Sequence, residues 1–396
     1  MTSNGYRRLA RVPGIGAWLI VVACQRFPVA MAPLGLIYLG IAITGSPAFG
    51  ALLAGVHAAA EAVLATALGR RFDRRPARSE ACLVLAAEAL LFLVAGLCAH
   101  VLPPMVVGAV AALGGGIAAG AQGGLRSLAV RLAPEAVRPV LGLESAVSAT
   151  VWTAAPALVA AVALLAGPTA PTLVIAAIAA LGALAARFLR EPERPSARVA
   201  GKVTISWRVL VPACAQAAAL MLAMGGASLA LPALLPTLGV SADWAGGWLT
   251  GMALAGVVSG LSFGAVAWRA RPETQATWLL LVVAALTTVV GLAGTPVLAL
   301  CFLVAVGVME TPIYAARSLA LQRAVPEQRW GEAFSALYTA AGVGYGAAGL
   351  VTAGASTLLG PSTAIVLCGL SAMVITAATM LVRTAQSEGM RIGITT

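Results

Sequence analysis

Charge is scarce in this 396-residue chain. Asp, Glu, Lys and Arg together make up 10% of it, where a soluble domain carries roughly 25%. With 60% hydrophobic residues, such a chain cannot cover itself with polar surface. That excludes a soluble enzyme, a disordered protein and a secreted scaffold. Lysine is nearly absent, Lys202 being the only one among 25 basic residues. Histidine is limited to two, and the six cysteines show no Cys-x-x-Cys spacing. The cysteines lie in apolar runs and read as small hydrophobes, neither disulfides nor metal ligands. No Ser-His-Asp set is evident. Gly114, Gly115, Gly116, Gly120, Gly123 and Gly124 resemble a phosphate loop only superficially, since they follow no strand. They read as a stripe for close helix packing. No metal, no cofactor and no enzymatic activity are expected.

What remains is a multi-span membrane protein. Apolar runs of roughly 20 residues, the length that crosses a bilayer, recur at 16–41, 47–69, 79–100, 104–128, 139–166, 169–189, 207–234, 243–268, 274–294, 296–320, 331–356 and 361–383. Arg7, Arg8 and Arg11 precede the first run as in a signal peptide. That run is long enough to span and lacks a clean cleavage site, so it reads as a retained helix. The polar segment 190–206 separates six spans from six. The expected units are a half at 1–189, a linker at 190–206 and a second half at 207–396. Trp18, Trp207, Trp268 and Trp330 fall near span ends, as interfacial anchors do.

The net charge of +11 sits in the connections. Even-numbered connections hold Arg70, Arg71, Arg74, Arg75, Arg78, Arg131, Arg138, Arg190, Arg323 and Arg329, among others. Odd-numbered ones, such as TGSP and AGPTAP, hold none. By the positive-inside rule both termini and the linker are cytoplasmic. The charge thus meets membrane lipid and needs no nucleic acid. The richness in Ala, Gly and Arg fits a GC-rich bacterial genome, and an inner-membrane location is expected.

The halves repeat. RSLAVRLAPE starts at Arg126, and RSLALQRAVPE starts at Arg317, 191 residues later. A direct six-helix duplication relates the halves by an axis along the membrane normal. The fold class is therefore all-α, twelve transmembrane helices in two six-helix pseudo-symmetric halves. Between spans 2 and 3 stands GRRFDRRPAR, Gly69 to Arg78. It resembles the loop Gly-x-x-x-Asp-Arg-x-Gly-Arg-Arg of the major facilitator superfamily. Gly69, Asp73, Arg74 and Arg78 match, while Pro76 replaces the second Gly. In that family this loop latches the outward-open state. Within it the chain resembles drug/proton antiporter-like exporters of bacteria, actinobacteria among them. TAAPALVAA around Pro156 is a degenerate form of their helix-5 motif, and Glu332 to Leu350 looks like their helix 11. The Arg they often carry midway along helix 4 is missing; Ala112 stands near that place.

Ionisable residues inside spans are costly, roughly 2.5–3.5 kcal/mol each on insertion scales, so they face a cavity or a partner. The family's helices 1, 4, 7 and 10 line the cavity, which makes Arg26 a central cation, binding an anionic group or neutralising a glutamate. His57 and Glu61 lie one turn apart on one helix face. They either exchange protons or pack as a hydrogen-bonded pair. Glu310, Tyr314 and Arg317 form a helical stripe beside Pro312, with Glu310 and Tyr314 facing substrate. Arg126 and Arg317, repeat partners, secure helix ends or gates. Glu144 pairs with Arg78 or Arg126 in a gate, and Glu88 reads as a structural pair. The substrate and proton site is thus Arg26, His57, Glu61, Glu310 and Tyr314. The gate and latch set is Gly69, Asp73, Arg74, Arg78, Arg126, Glu144 and Arg317. The resemblance implies a monomeric, alternating-access secondary transporter that exports small organic or drug-like molecules, driven by protons. An importer or facilitator of a sugar, amino acid or organic acid is the alternative, and a transport-inactive receptor or scaffold is another.

Overall fold

The computed structural model describes residues 3–192, 205–266 and 270–392. Most of the expected linker, and the anchor position Trp268, lie outside the described residues. The described chain is helical. Its helices are α1 (Ser3–Ala10), α2 (Ile15–Thr44), α3 (Pro47–Arg74), α4 (Ala77–Leu97), α5 (Pro104–Ala118), α6 (Ala121–Leu132), α7 (Val137–Ala166), α8 (Ala170–Ala186), α9 (Trp207–Thr237), α10 (Ala245–Ala265), α11 (Pro272–Leu292), α12 (Pro296–Ala324), α13 (Trp330–Leu358) and α14 (Pro361–Ile392). Short 3₁₀ turns at Pro134–Ala136, Ala242–Trp244 and Glu327–Arg329 precede α7, α10 and α13. Eleven spans among the described residues are long and apolar enough to cross a membrane, with α5 and α6 counted as one. Helix α8, of 17 residues, is a shorter twelfth. This is a multi-pass, all-α membrane protein.

The helix ends follow from local chemistry. Between α2 and α3, Gly45 adopts φ +70° and its N–H closes on the Ile41 carbonyl. Glycine suits that left-handed C-terminal position. Ser46 then accepts a hydrogen bond from the Phe49 N–H at 3.4 Å, and Pro47 occupies the first turn, where its missing N–H costs nothing. The TGSP connection is thus a stop signal followed by a start signal. Two features differ from the sequence reading. The short polar helix α1 precedes the first span, and the fourth span breaks around Ala119 and Gly120 into α5 and α6.

The chain divides into two compact units. The first comprises Met1–Thr204, Phe263–Val266 and Val325–Thr339, and the second comprises the remainder. In the first, α2 packs on α3, α7 and α8, and α4 packs on α5 and α8. Its core includes Met31, Leu36, Leu39, Leu53, Phe92 and Ile175. Without a hydrophobic drive between helices in lipid, close contact has to come from small residues. At Gly40 an added Cβ would lie 2.2 Å from the Gly50 Cα, so α2 and α3 touch backbone to backbone. Gly40→Ala should therefore destabilise the protein by about 1–3 kcal/mol, as overpacking does. Thermal unfolding in detergent tests this against Gly55→Ala, a site with nothing within 4 Å; equal midpoints would refute it. Several glycines of α5 and α6 work the same way against α3. A Cβ on Gly115 would meet the His57 carbonyl at 2.4 Å, and one on Gly124 the Phe72 ring at 2.2 Å.

In the second unit α11 contacts α9, α12 and α14. Leu220, Ala223, Leu231, Leu280, Val283, Val306 and Ile365 belong to its core. Gln216 is buried there and donates to the hydroxyls of Thr277 at 3.2 Å and Thr379 at 3.0 Å.

Candidate functional site

In the first unit a polar network links side chains of α2, α3, α6, α7 and α13. Arg26 on α2 is 1% exposed and Glu144 on α7 is 0% exposed. The Glu144 carboxylate accepts from Arg26 through one oxygen and from Arg126 of α6 through the other, the Arg126 Nε lying at 2.8 Å. Arg26 also donates to the Gln25 side-chain oxygen and, at 3.2 Å, to the Ser148 hydroxyl. The Arg126 guanidinium lies 5.8 Å from the Phe334 ring centroid. One carboxylate between two guanidiniums leaves one positive charge over. Arg26 acts through space on Glu61 of α3, whose side chain is hydrogen-bonded to Tyr338 of α13. The network thus runs from Arg126 through Glu144 and Arg26 to Glu61 and Tyr338.

His57 is placed differently from the expectation of a pair with Glu61. Its Nδ1 lies 2.9 Å from the Ala111 carbonyl and its ring centroid 5.8 Å from that of Phe92. Those neighbours make it a packing residue between α3, α4 and α5. Trp18 likewise is no interfacial anchor. It is 0% exposed and its indole N–H donates to the Leu125 carbonyl at 2.9 Å. Trp207, 67% exposed, keeps a surface position.

Asp73 accepts the backbone N–H of Gly331 at 2.8 Å and of Glu332 at 2.9 Å. These are the second and third residues of α13, the donors that an N-capping side chain normally satisfies. Asp73 therefore caps α13 from another helix. Arg70 pairs with Glu332 at 2.7 Å, and Arg329 pairs with the same carboxylate. Gly69 leaves no room for a Cβ, which would meet the Ser335 hydroxyl at 2.5 Å. Arg71 pairs with Glu80 at 2.5 Å. Arg74 and Arg78 are exposed. The Arg78 backbone N–H donates to Glu191 at 2.5 Å, and among the described residues Glu144 pairs with Arg26 and Arg126 and not with Arg78.

The second unit holds the Glu310, Tyr314 and Arg317 stripe on α12. Glu310 is half-buried, and no hydrogen bond or ion pair reaches it among the described residues. Pro312 leaves the Val308 carbonyl without its helical donor. The Tyr314 hydroxyl donates to the Met221 sulfur at 3.5 Å, and Arg317 lies over the Tyr314 ring at 5.2 Å. Past the one-residue insertion in the second copy of the repeat, Ala336 stands at the place of Glu144, so that copy has no carboxylate there.

Sequence reasoning passed over Gln25, Ser148, Tyr338 and Glu332. Gln25 adjoins Arg26, and Tyr338 and Glu332 lie in the run that resembles an exporter helix, but only Glu332 carries charge.

No family model and no curated protein matches the sequence. Solved structures do match. A bacterial homologue of the iron transporter ferroportin, in its outward-facing state, is similar at 17% identity with a TM-score of 0.72, over 94% of this chain and 99% of that one. The human organic anion transporter MFSD10 is similar at 14% identity and a TM-score of 0.70, over 92% of this chain and 98% of that one. The E. coli fucose:proton symporter FucP, a major facilitator superfamily transporter, is similar at 14% identity and 0.67, over 91% and 98%. At such identities the likeness carries the architecture alone. The chain has the fold of the major facilitator transporters.

Proposed function

We propose that this protein is a secondary active transporter of the bacterial inner membrane, working by alternating access, that exports small organic or drug-like molecules in exchange for protons. The observation that supports this is the charge left over where Arg26 and Arg126 share Glu144, next to Glu61. Ionised, Glu61 balances that charge. Protonated, it keeps the Tyr338 hydroxyl, which can both donate and accept. Both forms of the acid are thus accommodated, as a proton carrier requires. A molecule with a basic group competes with the proton for the same negative charge, and that competition is what couples their opposite movements. Glu310 and Tyr314 are the substrate-facing pair of the second unit, and Asp73 with its neighbours is the latch. The organic-acid importer is less well supported, since Arg26 is already bound to Glu144, Gln25 and Ser148 and is nearly inaccessible. The resemblance to exporters supports the outward direction. The protein works as a monomer with both termini cytoplasmic.

The test is uphill flux in proteoliposomes under an imposed pH gradient, with a panel of fluorescent organic cations. Glu61→Gln keeps shape but cannot titrate. It should lower gradient-driven accumulation by about tenfold, within the usual range of coupling between two sites, and leave counterflow of the same dye largely intact. Accumulation equal to that of the wild type would reject Glu61 as the carrier, and a wild type that does not accumulate the dye at all under the gradient would favour a facilitator.

A further inference from the structure

Glu88 has no part in the network described so far. It is the twelfth of the 21 residues of α4 and 1% exposed. One of its carboxylate oxygens has no hydrogen-bond partner, and no ion pair reaches it among the described residues. The expected structural pair is therefore not formed. The charged group acting on it is another acid, Glu61. The helix register accounts for this. His57 of α3 meets Phe92 of α4, and Arg71 of α3 pairs with Glu80 of α4. One turn from the first contact in the direction of the second, Glu61 comes level with Glu88.

The other surroundings supply no counter-charge. Helices α5 and α8, packed on α4, carry no titratable side chain. Helix α6 carries Arg126, held by Glu144, and Arg131 in its last turn. His57, one turn away, is turned to the Ala111 carbonyl. Glu88 is 1% exposed, Glu61 is partly buried, and the two acids act on each other, so ionising both is disfavoured and the pair holds at least one proton.

We propose that Glu88 is a second exchangeable proton-binding residue, reached through Glu61, so that the two acids take up and release protons as one unit. In the transfer the O–H bond on Glu61 breaks and one forms on the open oxygen of Glu88. The negative charge moves to Glu61, next to Arg26, where it is balanced. A proton on Glu88 is then sequestered from solvent while Glu61 is ionised. This rests on Glu61 being the coupling acid.

The experiment needs no substrate. Wild type, Glu88→Gln, Glu61→Gln and the double variant are reconstituted in nanodiscs, and pH-difference infrared spectra are recorded in the protonated-carboxyl region. Glu88→Gln should remove roughly half of the band change, as expected for one of two coupled sites, and the double variant should remove all of the pair's contribution. Glu88→Asp, which keeps a titratable group, should restore the band at a shifted position and guards against a folding artefact. A Glu88→Gln difference spectrum that superimposes on the wild type would overturn the proposal, since Glu88 would then stay protonated throughout; a changed Glu61→Gln spectrum would still leave the coupling role of Glu61 standing. If Glu61→Gln also superimposes on the wild type, both fall.

Discussion

Replacing Glu144 with alanine is expected to cost about 3–5 kcal/mol, the loss found when one partner of a buried ion pair is removed. Glu144 is fully buried, and each of its oxygens serves a different arginine. Without it, two guanidiniums that already repel one another are left in a water-poor interior. Among the described residues the hydrogen bonds left to Arg26 go to Gln25 and Ser148, neither of which carries charge, and Glu61 acts on it only through space. A loss of this size is a large part of the 5–15 kcal/mol by which folded domains are usually stable. Little monodisperse protein should be recovered from membranes. A triple variant, Arg26→Met, Glu144→Leu and Arg126→Met, removes the charges together and should regain stability while failing to transport. Thermal midpoints and size-exclusion profiles in detergent are the measurement. A wild-type midpoint for Glu144→Ala would mean that the arginines do not depend on it.

Asp73→Ala should lower turnover by about tenfold with normal membrane insertion. Loss of a helix cap costs roughly 0.5–2 kcal/mol, and 1.4 kcal/mol is a factor of ten in an equilibrium. Both oxygens of Asp73 are used on α13 backbone N–H groups, and its negative charge sits where the helix dipole favours it. Asn retains one acceptor and loses the charge, so its effect should be intermediate. Ala removes both. Initial rates across a range of dye concentrations, together with surface-expression levels, decide the matter. Normal rates for the alanine variant would show that the contact plays no part in the transport cycle.

The fold was legible because bilayer-spanning runs are a coarse pattern. Length and apolarity alone mark them, and the TGSP connection carries its cap residues in order. Pairing between distant residues was harder to read. Arg26 and Glu144 are 118 positions apart, and nothing local says that they meet. The partner of His57 is a backbone carbonyl, which every residue type supplies, so no reading of side chains could single out Ala111. A tryptophan near a span end resembles an anchor until its N–H is seen to find a carbonyl inside the protein, as that of Trp18 does. Tyr338 escaped a search for charges because it is neutral. The glycines of α5 and α6 read correctly as packing residues, but the break at Ala119 and Gly120 has no proline to announce it.

The cap on α13 has a genetic consequence. Asp73 is recognised by peptide N–H groups, which survive any substitution at 331 or 332 except proline. Mutational damage to this contact should thus fall unevenly, on Asp73 itself and on Gly331, where a Cβ would come within 2.7 Å of the Asp73 oxygen. Arg329 immediately precedes α13. An Arg329→Asp change would let the helix cap itself in cis, the ordinary arrangement. Such an allele would free the start of α13 from its dependence on α3. If Asp73 is the latch proposed above, then among suppressors of Asp73→Ala it should restore stability and leave transport defective, separating by selection two properties that the proposal joins in one carboxylate.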